Sequence, residues 1–161
     1  MKEKLKDNII TYAVSIAIPL AVGLFSALLT RGNMSLYSEI NTPPLSPPSW
    51  LFPVAWTILY VLMGVSAALV FNNASNNPIE AKKGIVTYLI SLFVNFFWSI
   101  LFFNLRLFAL SFVWLLLLLV LIIKTVLHYK KVSPPAAYLQ IPYIIWVTFA
   151  GYLNLAIAVL N

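Results

Sequence analysis

Residues 136–160 read AAYLQIPYIIWVTFAGYLNLAIAVL, an uninterrupted run without Asp, Glu, Lys, Arg or His. At about 1.5 Å of rise per residue it is long enough to cross a hydrocarbon core of about 30 Å as a helix. Backbone amides inside lipid have no water to bond, so such a run must satisfy them within itself. Working outward from it, four more stretches share the property: residues 9–30, 50–71, 85–103 and 107–123. The expected fold is therefore an all-α integral membrane protein, a single bundle of five transmembrane helices that uses nearly all of residues 1–161. Composition agrees, with 62% hydrophobic and 9% charged residues and a mean hydropathy of +0.96.

The charges lie between these runs. Lys2, Lys4 and Lys6 precede the first, Lys82 and Lys83 follow the second, and Lys124, Lys130 and Lys131 follow the fourth. With five spans these eight fall on one side of the bilayer, and only Arg31 and Arg106 fall on the other. The positive-inside rule then predicts a cytoplasmic N-terminus and an external Asn161. The net charge of +6 is thus read as a topology signal and a contact with membrane lipid, and no nucleic-acid partner is expected. The first run is longer than the roughly 7–15 residues of a signal-peptide core, and no convincing cleavage site follows it, so it is expected to be a retained helix.

Several chemistries are excluded early. The chain has no cysteine, one histidine (His128) and four acids (Glu3, Asp7, Glu39 and Glu80), so no metal centre of ordinary type is expected. None of the five runs carries a carboxylate, lysine or histidine for a proton relay, and none offers a nucleophile with its base.

Residues 31–49 form the longest connection. Pro43, Pro44, Pro47 and Pro48 exclude a regular helix and favour a stiff extended segment. It reads as a plain loop with Ser49 as the next helix cap, or as a lid over the bundle mouth. Residues 72–84 read as an ordinary polar turn. The short connection Asn104, Leu105, Arg106 makes its two flanking spans antiparallel neighbours. Small residues at four-spacing, Ala13-Ala17-Ala21 and Gly64-Ala68, allow close helix approach, in internal packing or in a homodimer.

Polar and aromatic side chains gather at similar depths. Measured from the outer end of each span, Trp98, Trp56 and Asn154 lie roughly 8–9 Å deep, Asn95 roughly 12 Å, Tyr60 and Ala150 roughly 15 Å, and Trp146 roughly 21 Å. Pro53, Trp56 and Tyr60 share a helix side, as do Ser91, Asn95 and Trp98, and Pro142, Trp146, Ala150 and Asn154. Two readings stay open. The amides are glue between helices and the rings form interfacial belts, as suits Trp50, Tyr129 and Tyr138. Alternatively the three faces line a pocket for a flat, largely apolar aromatic ligand.

Three segments then carry a family resemblance: PPSWLFPVAWTILY (47–60), NFFWSILFF (95–103) and PYIIWVTFAGYLN (142–154). On these the chain resembles the translocator protein family, also called tryptophan-rich sensory proteins or peripheral benzodiazepine receptors. The resemblance implies a five-helix bundle, usually dimeric, with a pocket under the first long loop. It implies binding of porphyrins such as protoporphyrin IX or related tetrapyrroles, as ligand or substrate with no required cofactor. It also implies binding of isoquinoline carboxamides and benzodiazepines. By motif the contact set is Trp50, Asn95, Trp98, Trp146 and Ala150, with Tyr60 and Asn154 matching as well. Pro47, Pro48 and Trp56 complete the ligand-binding set. Some members are credited with light- and oxygen-dependent porphyrin breakdown, which would fall here to Trp50 and Trp146 as catalytic residues. Nothing basic follows Tyr152, unlike the cholesterol motif of animal members, and cholesterol is not expected as the physiological ligand. Three functions compete: a tetrapyrrole-binding sensor, carrier or scavenger; a light-dependent porphyrin-degrading enzyme; and a non-catalytic scaffold or assembly factor.

Overall fold

The computed structural model describes the backbone of residues 2–161 and the side chains of residues 7–161. Among the described residues seven α-helices follow in order: α1 (Lys2–Thr30), α2 (Leu36–Glu39), α3 (Leu51–Asn72), α4 (Pro78–Ser99), α5 (Phe108–Lys130), α6 (Pro134–Leu139) and α7 (Ile141–Leu160). Five segments are long and apolar enough to cross a membrane, built on α1, α3, α4, α5 and the α6–α7 pair. The chain is an all-α, multi-pass integral membrane protein.

Two spans differ from simple rods. Residues 136–160, expected as one helix, are broken at Gln140. Pro142 has no N–H to offer the Tyr138 carbonyl, and its ring crowds that carbonyl. The break is stabilised by Gln140, whose Nε2 donates to Ser66 Oγ at 3.1 Å, while Ser66 donates to the Ala136 carbonyl at 2.7 Å. α4 ends in a π turn, Ile100–Asn104. Its start is conventional, with Pro78 in the first turn and the Asn77 side chain accepting the Glu80 amide at 3.3 Å.

Helix contacts follow small residues where they are opposed by backbone. A methyl group on Gly64 would lie 2.7 Å from the Ser15 carbonyl oxygen and closer still to the Ile16 Cα. α1 and α3 therefore meet backbone to backbone. That carbonyl is free because Pro19, four residues on, cannot donate to it. Ala68 is fully buried on the same side of α3. The other expected stripe behaves oppositely. Ala13, Ala17 and Ala21 point outward, and α1 buries Ser15, Pro19, Ser26 and Thr30 instead. Alanine costs little against lipid, whereas a hydroxyl gains from an interior position or a backbone bond such as Thr30 Oγ1 to the Ser26 carbonyl, 3.0 Å.

The two ends of the bundle are built differently. At the basic end Glu80 receives His128 Nδ1 at 2.8 Å, Lys131 at 3.1 Å and Lys83 at 3.5 Å, tying α4 to α5. The 72–84 connection, which reads as a plain turn, thus begins a charged clasp. At the other end the chain between α1 and α3 folds into a roof. Its first part is helical, with a 3-10 turn at Arg31–Asn33 and α2, whose Leu36 is fully buried against Phe102 and Ile157, and the proline-bearing stretch that follows forms no helix. The cap position before α3 is taken by Trp50, not Ser49, and carries no side-chain cap bond. Residues 40–50 stay irregular, with Leu45 at a φ of 68° and exposed while Pro43 is buried.

Candidate functional site

Beneath the roof lies a cavity of about 480 Å³, within the roughly 300–1,000 Å³ usual for small-ligand sites. Four spans and the roof build it. α3 supplies Phe52, Pro53, Trp56, Thr57 and Tyr60, the stripe that successive helical turns place on one side. α4 and its π turn supply Trp98, Ser99, Phe102 and Phe103; α7 supplies Ala150, Leu153, Asn154 and Ile157. α1 closes the remaining side with Leu20, Gly23, Leu24, Ser26, Ala27 and Thr30, and the roof adds Met34, Tyr37 and Ser49. No charged residue is among these.

Of the ten residues expected to bind ligand, five reach the wall together: Trp56, Tyr60, Trp98, Ala150 and Asn154, with Pro53 beside them. Asn95 and Trp146 stand one layer behind. Asn95 Nδ2 donates to the Tyr60 hydroxyl at 3.0 Å, fixing that ring from outside the cavity. Trp146 packs edge-on against Trp56, ring centroids 6.5 Å apart, and against Phe52 at 6.1 Å. Pro47 and Pro48 belong to the roof but do not line the space. The Pro47 carbonyl accepts the Tyr37 hydroxyl at 3.3 Å. Trp50 is 65% exposed. Its backbone is already helical, with φ of −65° and ψ of −23°, and it stands three residues before Pro53, yet its side chain is not part of the cavity wall. The two tryptophans suggested for photochemistry are therefore both off the wall.

The amides act as glue as well as lining. Asn154 Oδ1 accepts Trp98 Nε1 at 3.0 Å, and its Nδ2 donates to the Phe108 carbonyl at 2.8 Å. One side chain joins α7, α4 and α5. A similar bond missed in the sequence runs from Trp114 Nε1 to the Val94 carbonyl, 2.7 Å. Trp56 stacks on Tyr60 at 5.6 Å and meets Tyr143 edge-on at 6.1 Å, so the cavity floor is a packed set of rings. Trp98 stacks on Phe102 at 5.4 Å on the facing wall. Such walls offer π faces, a few hydroxyls and one amide, suited to holding a flat apolar body.

The roof is tied down on several sides. Asn33 Nδ2 donates to Asn104 Oδ1 at 2.9 Å, and Glu39 pairs with Arg106 at 3.4 Å. The Tyr152 hydroxyl donates to the Pro44 carbonyl at 2.9 Å. Asn161 exchanges two bonds with the backbone of Asn41, at 2.9 and 3.0 Å.

Sequence comparison agrees with this architecture. Residues 15–160 match the TspO/MBR family. A tryptophan-rich protein TspO of Chlorobaculum tepidum is 37% identical over 98% of this chain and 99% of its own length. The translocator protein of Bos taurus is 34% identical over 85% of this chain and 82% of its own. A tryptophan-rich sensory protein of Cereibacter sphaeroides is 30% identical over 78% and 76%. With a family match over most of its length and relatives above 30% identity across nearly all of it, the chain belongs to the TspO/MBR family.

Proposed function

We propose that this protein is a membrane receptor for porphyrins, protoporphyrin IX or a related tetrapyrrole, and for other flat aromatic ligands. It would act as a sensor, carrier or scavenger. The observation that carries the reading is an uncharged cavity walled by Trp56, Tyr60 and Trp98, with the Asn154 amide beside it. Isoquinoline carboxamides fit the same description, with rings to stack and an amide to orient. The orientation that goes with it puts the basic end in the cytoplasm and the roof outside, as the eight-to-two split of cations supports. A homodimer is part of the proposal, with the outward Ala13-Ala17-Ala21 face as its contact; a monomeric mass by light scattering in mild detergent would remove it.

The test is a titration of the purified protein with protoporphyrin IX, followed by tryptophan quenching and the porphyrin absorption band. Saturable binding near one porphyrin per protomer is expected; quenching that never saturates would discard the reading. The cavity offers a dicarboxylate no cation, so the propionates belong at its roof end, where α1 leaves the hydrocarbon. Arg106 is engaged by Glu39, whereas Arg31, next to the wall residue Thr30, is exposed and has no ion pair among the described residues. Arg31→Gln is therefore expected to weaken protoporphyrin IX by about threefold to tenfold, within the range of one partly exposed charge-assisted contact. The dimethyl ester should bind both forms alike, and equal loss for acid and ester would take Arg31 out of the site.

A further inference from the structure

The face of α3 that meets α1 runs Pro53, Thr57, Tyr60, Gly64. At Gly64 the two helices touch through backbone, and at Tyr60 the ring edge lies against Gly23, where an added methyl would sit 2.7 Å from the Tyr60 Cδ2. One and two turns higher this contact ends. Pro53 and Thr57 line the cavity and are exposed at the same time. The same holds across the gap on α1 for Leu24, 63% exposed, and Ala27. α1 parts from α3 because its upper turns are held on the other side. Phe25 stacks on Phe96 at 5.8 Å, and Asn104 Nδ2 donates to the Leu29 carbonyl at 3.2 Å.

The cavity is thus roofed by a segment bonded through Asn33, Glu39, Asn41 and Pro44, and is open on a side rimmed by Leu, Ala, Pro and Thr. That side lies on membrane-spanning helices within charge-free runs, so it faces hydrocarbon. An opening onto water would be expected to carry a polar rim, and a route through the roof would have to break its ties together.

We infer that ligand passes between the cavity and the bilayer sideways, through the gap between α1 and α3, and that the roof stays shut meanwhile. The ligand class this fits is a planar amphiphile already dissolved in the membrane leaflet at the roof end. The inference rests on the binding reading above and adds the route and the phase from which the ligand comes.

The chain has no cysteine, so pairs can be introduced cleanly. The experiment uses full-length protein in liposomes and follows protoporphyrin IX quenching by stopped flow. Asn33→Cys with Asn104→Cys, joined as a disulfide or by a short bismaleimide, locks the roof without touching the cavity wall. Ala27→Trp narrows the gap, with Thr57→Leu as a second variant on the opposite rim. The locked roof should keep the association rate within about twofold of wild type, while the narrowed gap should slow association and dissociation together by about fivefold or more. Association should also follow porphyrin per lipid rather than porphyrin per volume. A locked roof that slows binding about tenfold, with rim variants at wild-type rates, would overturn the lateral route. Absence of saturable quenching in the wild type would instead remove the binding reading itself, and the route with it.

Discussion

Replacing Trp56 with alanine is expected to weaken porphyrin binding by about tenfold to a hundredfold, roughly 1.4–2.8 kcal/mol. The ring does three things at once. It presents a face to the cavity, stacks on Tyr60, and meets Tyr143 and Trp146 edge-on. Removing it takes away a π surface and lets its neighbours collapse inward, so ligand contacts and wall shape are lost together. Truncating a fully buried core aromatic costs about 3–5 kcal/mol of stability, and Trp56, partly buried beside a cavity, falls below that. Trp56→Phe is therefore made alongside, because it keeps a ring among its packing partners. The measurement is porphyrin titration by absorbance, with a thermal melt for each variant. If Trp56→Ala melts like Trp56→Phe and still binds as wild type does, the cavity is not the porphyrin site.

Exchanging Gly64 for alanine carries the other large effect. The added methyl meets the backbone of Ser15 and Ile16 rather than a side chain that can swing away. Overpacking of this kind costs about 1–3 kcal/mol, and an opposing backbone puts it at the upper end. Gly151→Ala serves as its partner experiment. There the nearest atom to an added methyl is a Phe112 ring carbon at 4.0 Å, and the helix gains about 0.5–1 kcal/mol from losing a glycine. Melting followed by size-exclusion chromatography should therefore show the two variants moving in opposite directions from wild type. Equal melting points would mean that α1 and α3 are not held by this contact.

The five spans were readable because each is a charge-free run longer than a bilayer core, and the cations between them alternate in a way only five crossings explain. The break at Gln140 was not, since a lipid-embedded helix tolerates proline and the apolar run continues unbroken through Pro142. Three walls of the cavity announced themselves by rings and amides at helical spacing. The fourth did not. Leu20, Leu24 and Ala27 of α1 are the same residue types that face lipid elsewhere on that helix, so no pattern separates inside from outside. Gly23 was the one available hint, a missing side chain opposite Tyr60. Trp50 is exposed at the cap of α3, which matches the interfacial-belt placement, and its chemistry alone does not separate belt from pocket. Asn95 and Trp146 lie next to the wall, and their place behind Tyr60 and Trp56 is visible only in the coordinates.

Pro19 and Gly64 belong to a single device, although they lie on different helices. The pyrrolidine ring leaves the Ser15 oxygen without its usual amide four residues on, and across the interface that oxygen faces the position where glycine carries hydrogen instead of carbon. A Cα–H group is a weak donor, giving about 0.5–1 kcal/mol per contact, and Gly64 presents one where any other residue would present a methyl or larger group. The weld therefore needs both halves, an imino acid to release the lone pairs and an absent methyl to let them approach.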